Sequence, residues 1–322
     1  MEKNKPQVNL LIPLYNEEEV YDKLIERLTN VIEKTTLDVS VILVDDGSKD
    51  KTPFFMRETA LKDERFSAVF LSRNFGHQLA LTAGLTCINA TEAVLILDGD
   101  LQDPPELLDK FYAYYKEGYD VVYAERSSNA EKSFKRLTSR WFYQLFDRMT
   151  ETKIPLNTGD FALISRRVAD ILNQMPEERR FIRGMRSWVG FKQKGIFFDR
   201  PQREYGETKY PLTKMLRLAL DGIFSFSEVP IKLIINLGIL AVLSSFIFLT
   251  ITLYRKFYLD VVGEGFTALI FAITLFGGVQ LISIGVLGEY IVRIFFQVKK
   301  RPLFIIESRI EKQKEINGQE IL

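Results

Sequence analysis

Two aspartates separated by one glycine, Asp98 and Asp100, close an apolar run and are followed by Leu101, Gln102, Asp103 and two prolines. Carboxylates this close repel unless a cation lies between them. A divalent ion would cancel that repulsion and keep positive charge in reserve for a diphosphate. In extended backbone the two side chains share a face, and Gly99 lets the chain turn sharply beside a ligand. Gln102 would add an amide oxygen. Asp103, ahead of Pro104 and Pro105, is expected to cap the next helix instead. The plainer alternative is a solvated acidic turn, because Asp and Gly both favour that geometry.

Two counts narrow the chemistry. The 322 residues include one cysteine, Cys87, and one histidine, His77. An internal disulfide, a Cys/His zinc centre and any machinery needing a second imidazole are thereby excluded. Carboxylates, amides, hydroxyls, Arg and Lys remain, and oxygen donors of this kind suit Mg²⁺ or Mn²⁺. Lys+Arg 43 against Asp+Glu 42 leaves a net charge of +1, with no bias toward nucleic acid.

The elements that must position these residues are legible in the first 124. Short, β-branched apolar runs at 8–14, 39–45, 66–72, 93–98 and 119–124 alternate with longer mixed stretches. Such runs read as buried parallel strands. Between the first two, residues 17–33 carry Val20, Leu24, Leu28, Val31 and Ile32 at helical spacing. The expected fold is α/β, a doubly wound sheet with its site at the carboxyl ends of the strands. Polar residues collect at those ends. Pro13, Tyr15, Asn16 and Glu17 mark the first, Asp45, Asp46, Gly47 and Ser48 the second, and Ser72, Arg73 and Asn74 the third; Asp98, Asp100 and Gln102 mark the fourth. Four polar strand ends in succession read as a binding cleft. Neither GxGxxG nor GxxxxGK[ST] occurs, so neither a dinucleotide fold nor a P-loop is supported.

The last third reads differently. Residues 233–254 and 266–288 contain no charged side chain, and each run exceeds the ~20 residues that span a bilayer. A short link joins them, so they are expected to form a hairpin. Lys209, Lys214, Arg217 and Lys232 precede it, Arg293, Lys299, Lys300 and Arg301 follow it, and the link holds only Arg255 and Lys256. That asymmetry puts the large N-terminal part in the cytoplasm, consistent with the lack of a cleavable signal before Val8. Residues 210–226 space Leu212, Met215, Leu216, Ala219, Leu220, Ile223 and Phe224 as an amphipathic helix with basic residues, suited to the membrane interface.

Longer motifs carry a resemblance. "IPLYNEE", "LVDDGSKD", "LSRNFGHQLALTAG" and "DGDLQDPPE", in this order and spacing, resemble glycosyltransferase family 2 with its GT-A (Rossmann-like) fold. Within it the chain is most similar to bacterial polyprenyl-phosphate (bactoprenol) glycosyltransferases, relatives of dolichol-phosphate mannose synthase. "ALDGIFSFS", "GGVQLISIGVLGEYIVRI" and "KKRPLF" are similar to that subfamily's membrane half, so the resemblance covers roughly residues 7–305.

The resemblance implies metal and donor-diphosphate binding by Asp98, Asp100 and Gln102. It implies a nucleotide-sugar cradle of Pro13, Tyr15, Asn16, Glu17 and Asp45, with Arg73 and Asp98 beside it. It also implies an acceptor-phosphate site at Arg126, Arg136, Arg140, Arg203 and Lys209, and a catalytic residue at Asp160 in "NTGDFALISR". Asp160 would act as base or as orienting group. Residues 203–210 around Gly206 would form a loop over the cleft.

The activity so implied is metal-dependent, inverting transfer of one sugar, glucose from UDP-glucose, to polyprenyl (undecaprenyl) phosphate. The metal is Mg²⁺ or Mn²⁺, and the partners are the nucleotide sugar, the lipid and the bilayer, with room for a homo-oligomer. The expected layout is a cytoplasmic catalytic domain over 1–208, the interfacial helix over 209–228, two transmembrane helices over 229–298 and a cytoplasmic tail over 299–322. The location is then the plasma membrane, multi-pass. A polysaccharide acceptor is the first alternative, but the Q-x-x-R-W of processive synthases is not matched by "RGMRSWVG" at 183–190. A non-catalytic membrane scaffold is the second, and Asp98 and Asp100 stand intact against it.

Overall fold

The structure, a computed structural model, describes residues 6–126, 158–198, 229–258 and 265–317. These fall into two compact units, a sheet unit, to which residues 302–317 return, and a two-helix unit.

In the sheet unit β1 (Val8–Leu14), β2 (Val39–Asp45), β3 (Phe66–Leu71) and β4 (Ala93–Ile96) pair in parallel in the order β4-β1-β2-β3. The connections are α1 (Tyr21–Lys34), α2 (Thr52–Lys62) and α3 (His77–Thr86). Every residue of β1 is buried, because helices cover both faces of a doubly wound sheet. Helix α1 buries Tyr21, Leu24, Leu28 and Val31, one stripe at helical spacing. Helix α3 lies so close to the sheet that a Cβ on Gly84 would sit 2.1 Å from Leu11 Cδ1.

The sheet is mixed, where the sequence pattern predicted parallel strands. After β4 a short 3₁₀ turn, Pro105–Leu107, leads into α4 (Leu108–Lys116), and β5 (Val121–Arg126) follows. Next come β6 (Thr158–Ser165), α5 (Arg166–Gln174), α6 (Ile182–Trp188) and β7 (Gln193–Phe198). Strand β6 inserts between β4 and β5 and runs antiparallel to both. Strand β7 then pairs parallel with β5 at the edge. The inserted strand brings Asp160 to the end of β4.

At the other edge, β8 (Ile306–Glu311) and β9 (Lys314–Asn317) form an antiparallel hairpin, with β8 pairing antiparallel to β3. Its two-residue turn has positive φ at both Lys312 and Gln313, the geometry that matches strand twist in a tight hairpin. Ile310 is fully buried against the core, a burial that contributes about 2 kcal/mol. Arg57 of α2 holds the hairpin through Ser308 and Glu315. The segment after the two long apolar helices thus completes the sheet as an edge.

The second unit holds α7 (Val229–Tyr258) and α8 (Phe266–Lys299). Within them, Ile234–Arg255 and Leu275–Lys299 are long and apolar enough to cross a membrane. Their large apolar side chains, such as Phe246, Ile247 and Leu281, are exposed rather than packed in a core.

Candidate active site

The loops after β1 and β2 are laced together. Asn16, with φ +54, donates its N–H to Ser48 Oγ at 3.0 Å and accepts Lys49 N–H at 2.8 Å. Glu17 N–H donates to Thr52 Oγ1 at 2.9 Å. Asp45, at the end of β2, is buried and accepts Ser48 N–H. Burial pushes its carboxyl up from the ordinary aspartate range, against the bonds from Ser48 and Gly47. Tyr15 is exposed on this rim, and Pro13 is buried within β1, in register with Val44.

Asp46 carries the next connection. Its buried carboxylate accepts Phe75 N–H at 2.7 Å and Gly76 N–H at 2.9 Å. That fixes the loop entering α3, whose first residues are His77 and Gln78. Arg73 lies exposed on this loop with its guanidinium 4.0 Å from the Phe75 ring centroid.

Residues 97–103 do not continue β4, which stops at Ile96. The chain turns at Gly99 and Asp100, and Leu101 takes φ +62. Asp98 and Asp100 therefore lie on a turn and not along an extended strand. Asp100 Oδ1 accepts Gln102 N–H at 3.1 Å, and Asp103 Oδ2 accepts Asp98 N–H at 3.1 Å. Asp103, expected at the start of a helix, precedes the N-cap Pro104 and folds back to close this loop. A side chain at Gly99 would strike Leu14 Cδ2 at 2.4 Å, so the loop lies directly on the end of β1. Arg27 of α1 braces it from outside, donating to Leu101 O at 3.0 Å and through two bonds to Glu106.

The antiparallel insertion of β6 completes the site. Ile96 pairs with Ala162 as the last pair of β4 and β6, and just beyond it Asp98 and Asp160 both approach His77. His77 Nε2 stands between them, 3.6 Å from Asp98 Oδ1 and 3.3 Å from Asp160 Oδ2. Gln78 donates to Asp160 Oδ2 at 2.8 Å and accepts Ile182 N–H at 2.8 Å, tying β6 to α6. Arg183 Nε faces Asp160 Oδ1 at 3.7 Å. Arg186, fully buried, donates to the carbonyls of Asp160 and Gly159.

These charges shift one another. Burial alone would raise Asp160, but Arg183, His77 and Arg186 outweigh it and hold the carboxyl well below the usual range. Burial would lower His77, but Asp160, Asp98 and Asp46 push it up to about 9. Burial lowers Arg186 to about 10, partly opposed by Asp160.

Of the residues singled out in the sequence, Asn16, Glu17 and Asp45 share one rim, and Asp98, Asp100 and Gln102 share one loop. Asp160 joins Asp98 across adjacent strand ends. Arg126 ends β5, in register with Phe198. Arg136, Arg140, Arg203, Lys209, the 203–210 loop and the 209–228 helix lie outside the described residues. Sequence reasoning missed His77, Gln78, Arg183 and Arg186. The signals were present in "FGHQ", which opens α3, and in the paired arginines of "RGMRSW".

Among the described residues no three His, Cys, Asp or Glu side chains gather as a metal cage. Asp98 and Asp100 supply two carboxylates, with the Gln102 amide close by in the same turn. This all-oxygen set fits Mg²⁺ or Mn²⁺, which bind through one or two carboxylates and complete their shell with substrate phosphates and water.

The mixed sheet carries an acidic turn after β4 and Asp160 on the adjoining antiparallel strand, and residues 10–172 match the model for "Glycosyl transferase family 2". The chain belongs to that family and is a glycosyltransferase with a GT-A-like fold. It is similar to the uncharacterized glycosyltransferase YkcC of Bacillus subtilis strain 168, with 44% identity over 303 residues, covering 94% of each chain. It is also similar to the prophage bactoprenol glucosyl transferase homolog of Escherichia coli K12, with 36% identity over 95% of this chain and 100% of that one. The bactoprenol glucosyl transferase of Shigella phage SfV is 36% identical over 96% of this chain and 100% of its own.

Proposed function

We propose that the protein transfers a single glucose from UDP-glucose to polyprenyl (undecaprenyl) phosphate at the cytoplasmic membrane face, with inversion at the anomeric carbon. The observation that supports this most is the meeting of Asp98 and Asp160 through His77, in a chain aligned end to end with bactoprenol glucosyl transferases.

In this reading the rim of Tyr15, Asn16, Glu17 and Asp45, built on Pro13, cradles the nucleotide, with Arg73 at its edge. Asp98, Asp100 and Gln102 would hold Mg²⁺ or Mn²⁺, which supplies positive charge to the departing nucleoside diphosphate. Arg126, Arg136, Arg140, Arg203 and Lys209 receive the acceptor phosphate. That phosphate monoester has its second pKa near ~6 and arrives largely deprotonated, so its oxygen needs no strong base. Asp160 suits such a reaction. Held below the ordinary carboxylate range by its cationic neighbours, it is a poor proton acceptor and a good fixed anion for orienting the sugar. The catalytic part spans 1–208, the interfacial helix 209–228, the hairpin 229–298 and the C-terminal segment 299–322. The two apolar helices keep the enzyme beside its lipid acceptor in the plasma membrane.

The deciding experiment is a donor screen on the purified chain in detergent with Mg²⁺ or Mn²⁺, undecaprenyl phosphate and radiolabelled nucleotide sugars. Label from UDP-glucose is expected in the lipid extract. No lipid-linked product from any donor refutes the reading. EDTA and Asp100→Ala should each abolish transfer, and wild-type turnover in Asp160→Asn would remove Asp160 from the reaction.

A further inference from the structure

Three arginines on the stretch that forms α6 and its approach have different surroundings. Arg180 donates to the carbonyls of Met175 and Leu172. Arg186 donates to those of Asp160 and Gly159. Arg183 does neither. Among the described residues its guanidinium makes no hydrogen bond, and its buried Nε stands 3.7 Å from Asp160 Oδ1, beyond bonding distance. The side chain is 26% exposed and lies 5.8 Å from the Phe181 ring centroid.

A guanidinium has five N–H donors in a fixed fork. Withdrawing most of it from water without acceptors is costly, so a mostly buried arginine of this kind is poised for a ligand that brings them. Its position identifies the ligand's chemistry. Arg183, Asp160, His77 and Asp98 stand in succession, at 3.7, 3.3 and 3.6 Å, and lead to the acidic loop. Asp160 already has Gln78 and His77 on its Oδ2, so it holds Arg183 by charge while leaving the fork available. Planar forks of this kind match phosphate oxygens.

We propose that Arg183 binds a phosphate group of a substrate, with Asp160 keeping its guanidinium in position. The proposal rests on the glycosyl-transfer reading above and adds to it a residue that the family resemblance did not supply. The phosphate belongs either to the donor's diphosphate or to the acceptor's monophosphate, and two separate measurements distinguish them.

The full chain in detergent is compared with Arg183→Gln, Arg183→Lys and Arg183→Ala. UDP binding in the presence of Mn²⁺ is measured by calorimetry without lipid, and the KM for undecaprenyl phosphate is measured by transfer. Removing a charged fork should weaken one of these by about tenfold or more, with Lys intermediate because it keeps charge without the fork. Weaker UDP binding assigns the donor. Unchanged UDP binding with a raised acceptor KM assigns the acceptor.

Guanidinium ions should restore part of the lost affinity to Arg183→Ala, which a merely structural role does not predict. Both affinities within about twofold of wild type in a folded Arg183→Gln chain would overturn the proposal. If Arg183→Gln does not fold, the same twofold limit is applied to Arg183→Lys. Calorimetry with UDP needs no lipid acceptor, so a wild-type chain that binds UDP but glycosylates no lipid counts against the acceptor reading alone. If that chain's UDP affinity is also unchanged by Arg183→Gln, Arg183 is excluded as well.

Discussion

Gly47 offers a quantitative test of how the cleft is held. It takes φ +66, and a Cβ there would lie 2.4 Å from Arg73 C and 2.5 Å from Asn74 N. Ordinary contact between such atoms is about 3.5 Å, so Gly47→Ala must push the loop after β3 outward by about 1 Å. The left-handed backbone itself costs an alanine roughly 1–2 kcal/mol. The displaced loop is the one that Asp46 holds through Phe75 and Gly76, and weakening those charge-assisted bonds adds about 2–3 kcal/mol. The expected total is roughly 3–5 kcal/mol, or about 6–20 °C in melting midpoint at about 2–4 °C per kcal/mol.

Gly118→Ala is the control. Gly118 also has positive φ, +93, but nothing lies within 4 Å of a Cβ there. Only the backbone penalty of roughly 1–2 kcal/mol applies, or about 2–8 °C. Tryptophan fluorescence during heating of the full chain in detergent measures both variants. Equal shifts for the two alanines would show that the close approach of the two loops does not contribute. Gly47→Ala should also weaken nucleotide binding, since Arg73 and Asn74 move with the loop, whereas Gly118→Ala should not.

Two other perturbations have defined signs. Burial raises the Asp120 carboxyl, but Arg167 and Ser165 outweigh it and hold it below the ordinary range. A depressed folded value contributes stability that is present above the unfolded value near ~3.9 and lost as pH falls through the folded one. Asp120→Asn should therefore be less stable than wild type at pH 7, and the gap in urea midpoint should narrow as pH falls below about 4; a constant gap would discount the pairing. Arg27→Ala removes the brace on Leu101 and Glu106, so the Mn²⁺ concentration for half-maximal activity should rise several-fold with a smaller change in kcat. Arg27→Lys should recover part of this, and an unchanged Mn²⁺ requirement would exclude the brace from metal binding.

Much of the site was legible because its signals are local. The strands β1 to β4 announce themselves as continuous apolar runs, since both their faces are covered, and the polar residues that follow each run mark the cleft. Asp98, Asp100 and Gln102 lie within five residues, so their association needs no knowledge of the fold. Asp160, by contrast, was reached through family resemblance alone. Nothing in its own neighbourhood says that β6 inserts antiparallel beside β4 and brings it, like Asp98, to His77. The same holds for β8, whose short, half-charged strand Ile306–Glu311 pairs with a partner more than two hundred residues away.

By itself, then, the sequence determined the alternation of strand and helix, the oxygen-only chemistry left by one histidine and one cysteine, and two helices too apolar for an ordinary surface. Periodicity and composition act over neighbouring residues, and these features depend on nothing further. Only the tertiary structure decided how the charges pair. It set His77 between Asp98 and Asp160, gave Arg186 to the main chain and left Arg183 facing Asp160. Those outcomes depend on strand order and direction, because a carboxylate's partner is whichever cation the sheet brings within a few ångströms of it.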